Sequence, residues 1–233
     1  MKEVFSSRIE TNKLLAESAK SIPLKTFITA SAVGFYKPDM ENKYTETDSF
    51  TDYGKISELV RDWEQAAEIS DRPEIRQFQL RFGVVLSRDS NFIKAQYPSH
   101  RLGLGMPIGS GRQWISWVHL DDVIRAIKFL LPSTCMVAPG PVNVTAPNAC
   151  RQADLSKALC ESLSAPKFPC KLPALPEASV KMLMGHDRAT LLLDGQRVLP
   201  QKLLDAGFLF DYPSLEDAFQ AIFGKRPNPV PRE

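Results

Sequence analysis

The stretch Phe27-Ile28-Thr29-Ala30-Ser31-Ala32-Val33-Gly34-Phe35-Tyr36 decides the fold. It opens as a short apolar run and passes into a loop carrying a hydroxyl, a glycine and two aromatics. Apolar, strand-favouring residues bounded by turn formers predict a buried strand. In an open α/β sheet, ligands bind at the carboxyl ends of the strands. Ser31 would then sit where a hydroxyl can meet a ligand. A serine at a turn also bonds nearby backbone, so this stretch alone leaves both readings open.

Working outward, residues 3–20 predict one amphipathic helix through Phe5, Ile9, Leu15 and Ala19, closed by Pro23. Downstream, residues 37–53 form a long polar loop, a length that is often functional. Ile56, Leu59, Val60, Trp63, Ala66 and Ala67 then follow the helical period. Phe78 to Leu86 is nearly continuous in apolar residues, as suits a parallel strand covered on both faces. Strands separated by single helices predict βαβ units with right-handed crossovers.

Residues 98–113 hold Gly103, Gly105, Gly109 and Gly111, in a spacing that matches neither dinucleotide nor P-loop patterns. A substrate loop and plain turns both fit. Trp114 to Val123 reads as an extended segment handed to a helix, with Asp121 or Asp122 as its cap and Ile124, Ile127 and Leu131 as its apolar face. His119 reads as a structural histidine, since no nucleophile–carboxylate set surrounds it in sequence. Pro141 to Thr145 is a third strand.

Beyond residue 150 the texture changes, and half of the 18 prolines lie from Pro166 onward. A helix near Gln152–Leu163 leads into an extended connector spaced by Pro166, Pro169, Pro173 and Pro176. A short helix with Val180, Leu183 and Met184 follows. Pro200 suits a first helical position and Gly207 a helix stop. Ser214-Leu215-Glu216-Asp217 starts a last helix with capping-box spacing, Leu215, Ala218, Phe219 and Ile222 facing inward. The division expected is residues 1–150, residues 151–224, and a disordered tail at 225–233.

With 43% hydrophobic and 24% charged residues, the 233-residue chain can build a core and remain soluble. A net charge of +2 is too balanced to indicate a nucleic-acid partner. No apolar run reaches the roughly 20 residues needed to cross a bilayer. Cys135, Cys150, Cys160 and Cys170 show neither C-x-x-C spacing nor a histidine ligand pattern, so no metal is expected and the thiols read as free, in a reducing compartment. The compartment itself is open, cytoplasmic or organellar, mitochondria included.

Several pieces, taken in order, resemble one family. They are Ser7-Arg8-Ile9-Glu10-Thr11, Ser31-Ala32-Val33-Gly34-Phe35-Tyr36, Trp63-Glu64-Gln65-Ala66-Ala67, Leu80 to Leu86, and Gly109-Ser110-Gly111-Arg112-Gln113. Ser116 to Asp122, Leu192 to Leu203 and Ala206 to Phe210 complete the series. Together they resemble the "epimerase family" proteins, an atypical extended branch of the short-chain dehydrogenase/reductases with a short carboxy-terminal domain of their own.

The resemblance implies an α/β fold: the C-terminal part of a Rossmann-like parallel sheet with flanking helices, plus a small α+β C-terminal lobe. It implies NADP(H) as cofactor and a small-molecule substrate, in an oxidoreductase or nucleotide-sugar-epimerase type of reaction. Carried over by position, Arg8 and Glu3 are cofactor contacts, and the backbone at Val84 meets the nicotinamide amide. Ser31 keeps the superfamily's serine, and Tyr36 lies near enough to stand in as an acid.

Two departures accompany it. The family's opening strand and Gly-x-x-Gly-x-x-Gly turn are not in this sequence, and roughly 60–70 residues, two or three βα units, are expected to be missing from the domain. The superfamily's Tyr and Lys positions fall on Ile56 and Val60; Tyr53-Gly54-Lys55 does not replace them, because residues two apart do not share a helix face. A non-catalytic binding protein is therefore the alternative reading. An absent strand would leave an apolar sheet edge, and with it an expectation of self-association.

Overall fold

In a computed structural model, the structure describes residues 2–102, 105–163, 176, 178, 182, 190 and 193–224. Side chains of residues 2–5 are not among them. Pro166, Pro169, Pro173, Val180, Leu183, Met184, Cys170, Gly103 and the tail 225–233 lie outside the described residues.

Helix α1 spans Lys2–Lys20. Strand β1, Thr26–Ala32, ends in a tight 3-10 turn at Val33–Phe35. The polar loop contains one short strand, β2 (Lys43–Tyr44), before helix α2 (Lys55–Ala66). Strand β3 covers Arg76–Phe82 and β4 covers Val84–Leu86. The expected single strand is thus broken at Gly83, where a Cβ would lie 2.5 Å from the Ser116 carbonyl oxygen. Gly83 lets two backbones pass in contact, and Val84 then pairs with a different neighbour.

Helix α3, Asn91–Arg101, was not expected; it is capped by the Ser90 hydroxyl, which accepts from the Ile93 N–H. It runs into what reads in sequence as the start of the glycine loop. Strands β5 (Trp114–Ile115) and β6 (Trp117–His119) lead into α4 (Leu120–Leu130). Strand β7 is Gly140–Val144, β8 is Cys150–Arg151 and α5 is Gln152–Ser162. Strand β9 (Arg197–Val198), α6 (Gln201–Asp205) and α7 (Leu215–Phe223) follow. Pro200 stands just before α6 as its cap, and Gly207 takes φ +77° after it.

The central sheet is parallel, in the order β1-β3-β7. Shorter pairs extend it: β4 with β6 and β2 with β9 in parallel, β5 with β8 antiparallel. One face of the sheet packs Phe78, Leu80, Val142 and Val144 against Val123, Ala126 and Leu130 of α4. A second core joins Leu86, Ile93 and Trp117 to Leu155, Leu159 and Phe219. Both cores draw side chains from before and after residue 150. The inward set on α7 is as expected, with Leu215, Ala218, Phe219 and Ile222 all buried.

The reading of α4 needs correction. Neither Asp121 nor Asp122 caps it. His119 does, its Nδ1 accepting from the Asp121 N–H at 3.2 Å. Asp122 is fully buried and accepts instead from the Asp211 and Tyr212 N–H groups. The buried face is Val123, Ala126 and Leu130, whereas Ile124 and Leu131 are exposed.

Among the described residues, β1 pairs only with β3, so its outer edge is open. Ala30 on β1 is exposed, as are Leu120 and Ile124 of α4 and Leu131 just after it. Leu131 lies against the start of β1, its carbonyl accepting from the Thr26 hydroxyl. An unpaired edge beside exposed apolar side chains favours pairing with another chain. We expect sedimentation velocity to show association that grows with protein concentration and is suppressed by Ala30→Lys. A monomer at every concentration would contradict this.

Two histidines give the fold a defined response to acid. The His100 ring is buried between the Gln96 carbonyl and the Ser156 hydroxyl, both at 2.8 Å. A carbonyl only accepts, so Nδ1 carries the proton and Nε2 accepts from Ser156. Burial lowers the pKa of His100 and likewise of His119. The folded state then binds fewer protons than the unfolded state, so stability is whole above the free-histidine value of 6.5 and declines as pH falls below it. Calorimetry is expected to show a Tm falling across that range, with a smaller fall in His100→Gln. An equal fall in the variant would remove His100 from the effect.

Candidate functional site

A cavity of about 380 Å³ opens at the carboxyl ends of β1 and β3. Its floor is the turn after β1 (Ala32, Val33, Gly34) and the break after β3 (Phe82, Gly83, Val84). This is where the topology of a parallel sheet leaves room for a ligand.

One wall is α2. Ile56, Leu59, Val60 and Trp63 recur at helical spacing, and all four line the cavity. The sequence reads this stripe as a helix, and the structure makes most of it a site wall. Ile56 and Val60 stand one turn apart on the cavity side, at the positions that carry tyrosine and lysine in the superfamily. They offer hydrocarbon where an acid–base pair would be. Gly34 faces them: a Cβ there would come within 3.0 Å of Ile56 Cγ2 and 3.6 Å of the Tyr53 hydroxyl.

Tyr53 is the phenol nearest this chemistry. Its hydroxyl donates to the Gly34 carbonyl at 2.5 Å. Burial, reinforced by the negative charge of Asp194, pushes its pKa well above the ordinary tyrosine value. Tyr53 therefore holds its proton and acts as a strut.

The remaining wall comes from β5 and from residues 194–196. A Cβ on Gly195 would collide with the Trp114 carbonyl, so only glycine permits this approach. The segment is fastened by Gln196, whose side-chain amide donates to the Val33 carbonyl at 2.6 Å. Ser116 is the second fastener: its hydroxyl donates to the Gln196 carbonyl and accepts from the Val198 N–H, at 2.8 and 2.9 Å. The carboxy-terminal segment is thus part of the site.

Arg8, on α1, lines the cavity with its guanidinium 5.1 Å from the Trp63 ring centroid. Val84 lines it too, and its N–H is bonded to the Ser116 carbonyl at 2.8 Å. Glu3 lies within α1, and its side chain is outside the described residues.

Ser31 and Tyr36 are placed elsewhere. Neither lines the cavity, and they are only 2% and 1% exposed. Ser31 donates to Glu64, and Arg81 binds both carboxylate oxygens of Glu64 at 2.8 Å. Arg81 also donates to the Tyr36 hydroxyl, which donates onward to Asn143, both at 2.9 Å. Burial raises the pKa of Tyr36, and Arg81 opposes this only in part. Burial alone would lower the pKa of Arg81; its bonds to Glu64 outweigh that and keep the guanidinium charged. This is a buried polar network beneath the floor, with Phe35 stacked 3.3 Å from the Arg81 guanidinium. It shapes the turn that forms the floor. The alternation that points Ser31 away from the cavity is visible only once Glu64, 33 residues on, is in place.

The sequence reading does not single out Trp63, Trp114 or Gln196 as site residues. Trp63 and Gln196 lie in stretches that carry the family resemblance, and that is their signal; Trp114 falls between two such stretches and has none.

The domain of unknown function DUF1731 matches residues 175–222. The human epimerase family protein SDR39U1 is 34% identical over 95% of this chain and 74% of its own length. A chloroplastic SDR39U1 homologue from Arabidopsis thaliana is 33% identical over 95% of this chain and 62% of its own. The crystal structure of the human protein (isoform 2) with NADPH superposes with a TM-score of 0.87, covering 95% of this chain and 73% of that one.

Proposed function

The chain belongs to the epimerase family of the extended short-chain dehydrogenase/reductases, and from that premise we propose that its cavity takes the nicotinamide end of NADP(H) beside a small-molecule substrate. The observation that carries this reading is the position of the cavity at the strand carboxyl ends, walled by α2 and lined by both Arg8 and Val84. The human relative crystallised with NADPH supports the choice of cofactor. The residues fit the group. Trp63, Ile56 and Val60 give apolar walls, the indole a flat one, and the Arg8 guanidinium belongs to the same lining.

Bound NADP(H) would supply a hydride donor or acceptor. The chain's own residues bind, orient and exclude water. Arg8 offers a planar fork of donors suited to phosphate. The apolar walls keep the reacting face dry. Arg8→Ala is expected to weaken NADPH binding about tenfold in calorimetric titration, the scale of one charge-assisted contact. Unchanged affinity would take Arg8 out of the site.

A second reading, a protein that binds without catalysing, is favoured by Ile56 and Val60 at the acid–base positions and by Ser31 bonded to Glu64. Ile56 and Val60 carry no transferable proton, and the Ser31 hydroxyl is already donated to Glu64. Turnover of NADPH with a panel of aldehydes and ketones separates the two, since loss of nicotinamide absorbance appears only under the first. The chloroplastic relative supports an organellar compartment as one alternative to the cytoplasm.

A further inference from the structure

Trp114 lines the cavity, and two guanidiniums lie against its indole ring. Arg151 is 3.6 Å from the ring centroid and Arg197 is 4.7 Å. Arg151 faces Trp114 across the β5–β8 pair, and Arg197 follows directly on Gln196, another lining residue. Arg112 stands two residues before Trp114, its carbonyl accepting from Arg151 at 2.6 Å. The hydrogen bonds of Arg151 go to neutral partners, the Arg112 and Met40 carbonyls and the Met40 sulfur. Among the described residues, no carboxylate pairs with Arg112, Arg151 or Arg197. The Nε of Arg197 is buried without any hydrogen-bond partner.

This arrangement is unusual for a chain whose charges nearly balance. Guanidiniums gathered without carboxylates repel one another, and a buried donor left unmade is costly. The repulsion is relieved by an anion that accepts from the forks, since guanidinium geometry matches phosphate and carboxylate oxygens. The apolar body of the same ligand would lie on Trp114 and within the cavity.

We propose that Arg151 and Arg197, which flank Trp114 without lining the cavity themselves, form an anion subsite beside it, so that the substrate taken there is an apolar or aromatic compound bearing a phosphate or carboxylate group. The inference rests on the reading of this cavity as the ligand site and adds a substrate class to it. Arg197 is the residue to vary, because its guanidinium stacks on Trp114 and no carboxylate pairs with it among the described residues.

The test compares two fluorescent probes on the full chain: 8-anilinonaphthalene-1-sulfonate, and its uncharged analogue N-phenyl-1-naphthylamine. The sulfonate is expected to bind about tenfold tighter than the neutral compound, the scale of one charge-assisted contact. Arg197→Met keeps the apolar stem and is expected to erase that preference while leaving the neutral probe unchanged. Arg197→Lys keeps the charge without the fork and is expected to recover only part of it. Because the readout is a ratio of two probes, general loosening of the fold moves both and cannot imitate the result. Inorganic phosphate and acetate, added as competitors, tell a phosphate site from a carboxylate site. Equal affinity of the wild type for both probes, or a preference that survives Arg197→Met, would overturn the proposal. So would an equal loss of NADPH affinity in Arg197→Met, which would assign the arginine to the cofactor's own phosphates. Failure of NADPH to bind the wild type, with the sulfonate preference intact, would count against the cofactor reading and leave the subsite standing.

Discussion

Arg81→Met is expected to lower the free energy of unfolding by ~3–5 kcal/mol, the cost of breaking a buried ion pair by removing one partner. Arg81 and Glu64 are 3% and 14% exposed, and both carboxylate oxygens accept from the guanidinium. With the arginine gone, Glu64 is held only by the Ser31 hydroxyl, and Tyr36 loses a donor. Urea unfolding should show a lower midpoint with an unchanged slope. The double change Arg81→Met with Glu64→Leu is expected to recover much of the loss, since hydrophobic replacement of a buried pair is often neutral or better. A double variant no better than the single one would mean that the arginine acts through its stacking on Phe35 and not through the charge. Either way, ligand binding should weaken, because the Phe35 turn supports the cavity floor.

The second large effect is expected at Asp122. Its carboxylate is wholly buried and accepts from the Asp211 N–H at 2.9 Å, the Tyr212 N–H at 3.0 Å and Arg125 at 2.9 Å. It therefore ties α4, at the sheet, to the turn that precedes α7. Asp122→Ala leaves two backbone donors without acceptors at a closed interface, and ~3–4 kcal/mol of stability should be lost. Asp122→Asn retains one acceptor oxygen and should cost ~1–2 kcal/mol. Arg125 is 36% exposed, and without it Asp122 still accepts from both backbone N–H groups, so Arg125→Ala is expected to cost less than either. Comparable losses in Asp122→Ala and Arg125→Ala would place the effect in the salt bridge and not in the backbone capture.

How much of this was legible in the sequence follows from the range of the interactions. Strand β1, helix α2 and the inward face of α7 are written in local apolar spacing, and the structure keeps them. Ile56 and Val60 reach the cavity as the one-turn spacing requires. What depends on a distant partner was not legible. Ser31 and Tyr36 look available in a strand-to-loop sequence, yet Glu64, Arg81 and Asn143 draw both into a buried network. Asp122 looks like a cap from its place at a helix start, yet an acceptor was needed by Asp211 and Tyr212, some 90 residues on. The break at Gly83 and the contact at Gly195 each answer a carbonyl from another segment, Ser116 in one case and Trp114 in the other. Helix α3 carries few buried side chains and an internal Pro98, so its period is weak.

If the reduced nicotinamide occupies the cavity walled by α2 and β5, as proposed, energy transfer from tryptophan reports it. Trp63 and Trp114 both line that cavity, so exciting tryptophan while titrating NADPH should produce saturable nicotinamide emission, and Trp63→Phe should remove a large part of it at full occupancy. Emission that fails to appear, or that is untouched by Trp63→Phe despite saturable binding, would place the cofactor elsewhere and contradict the account.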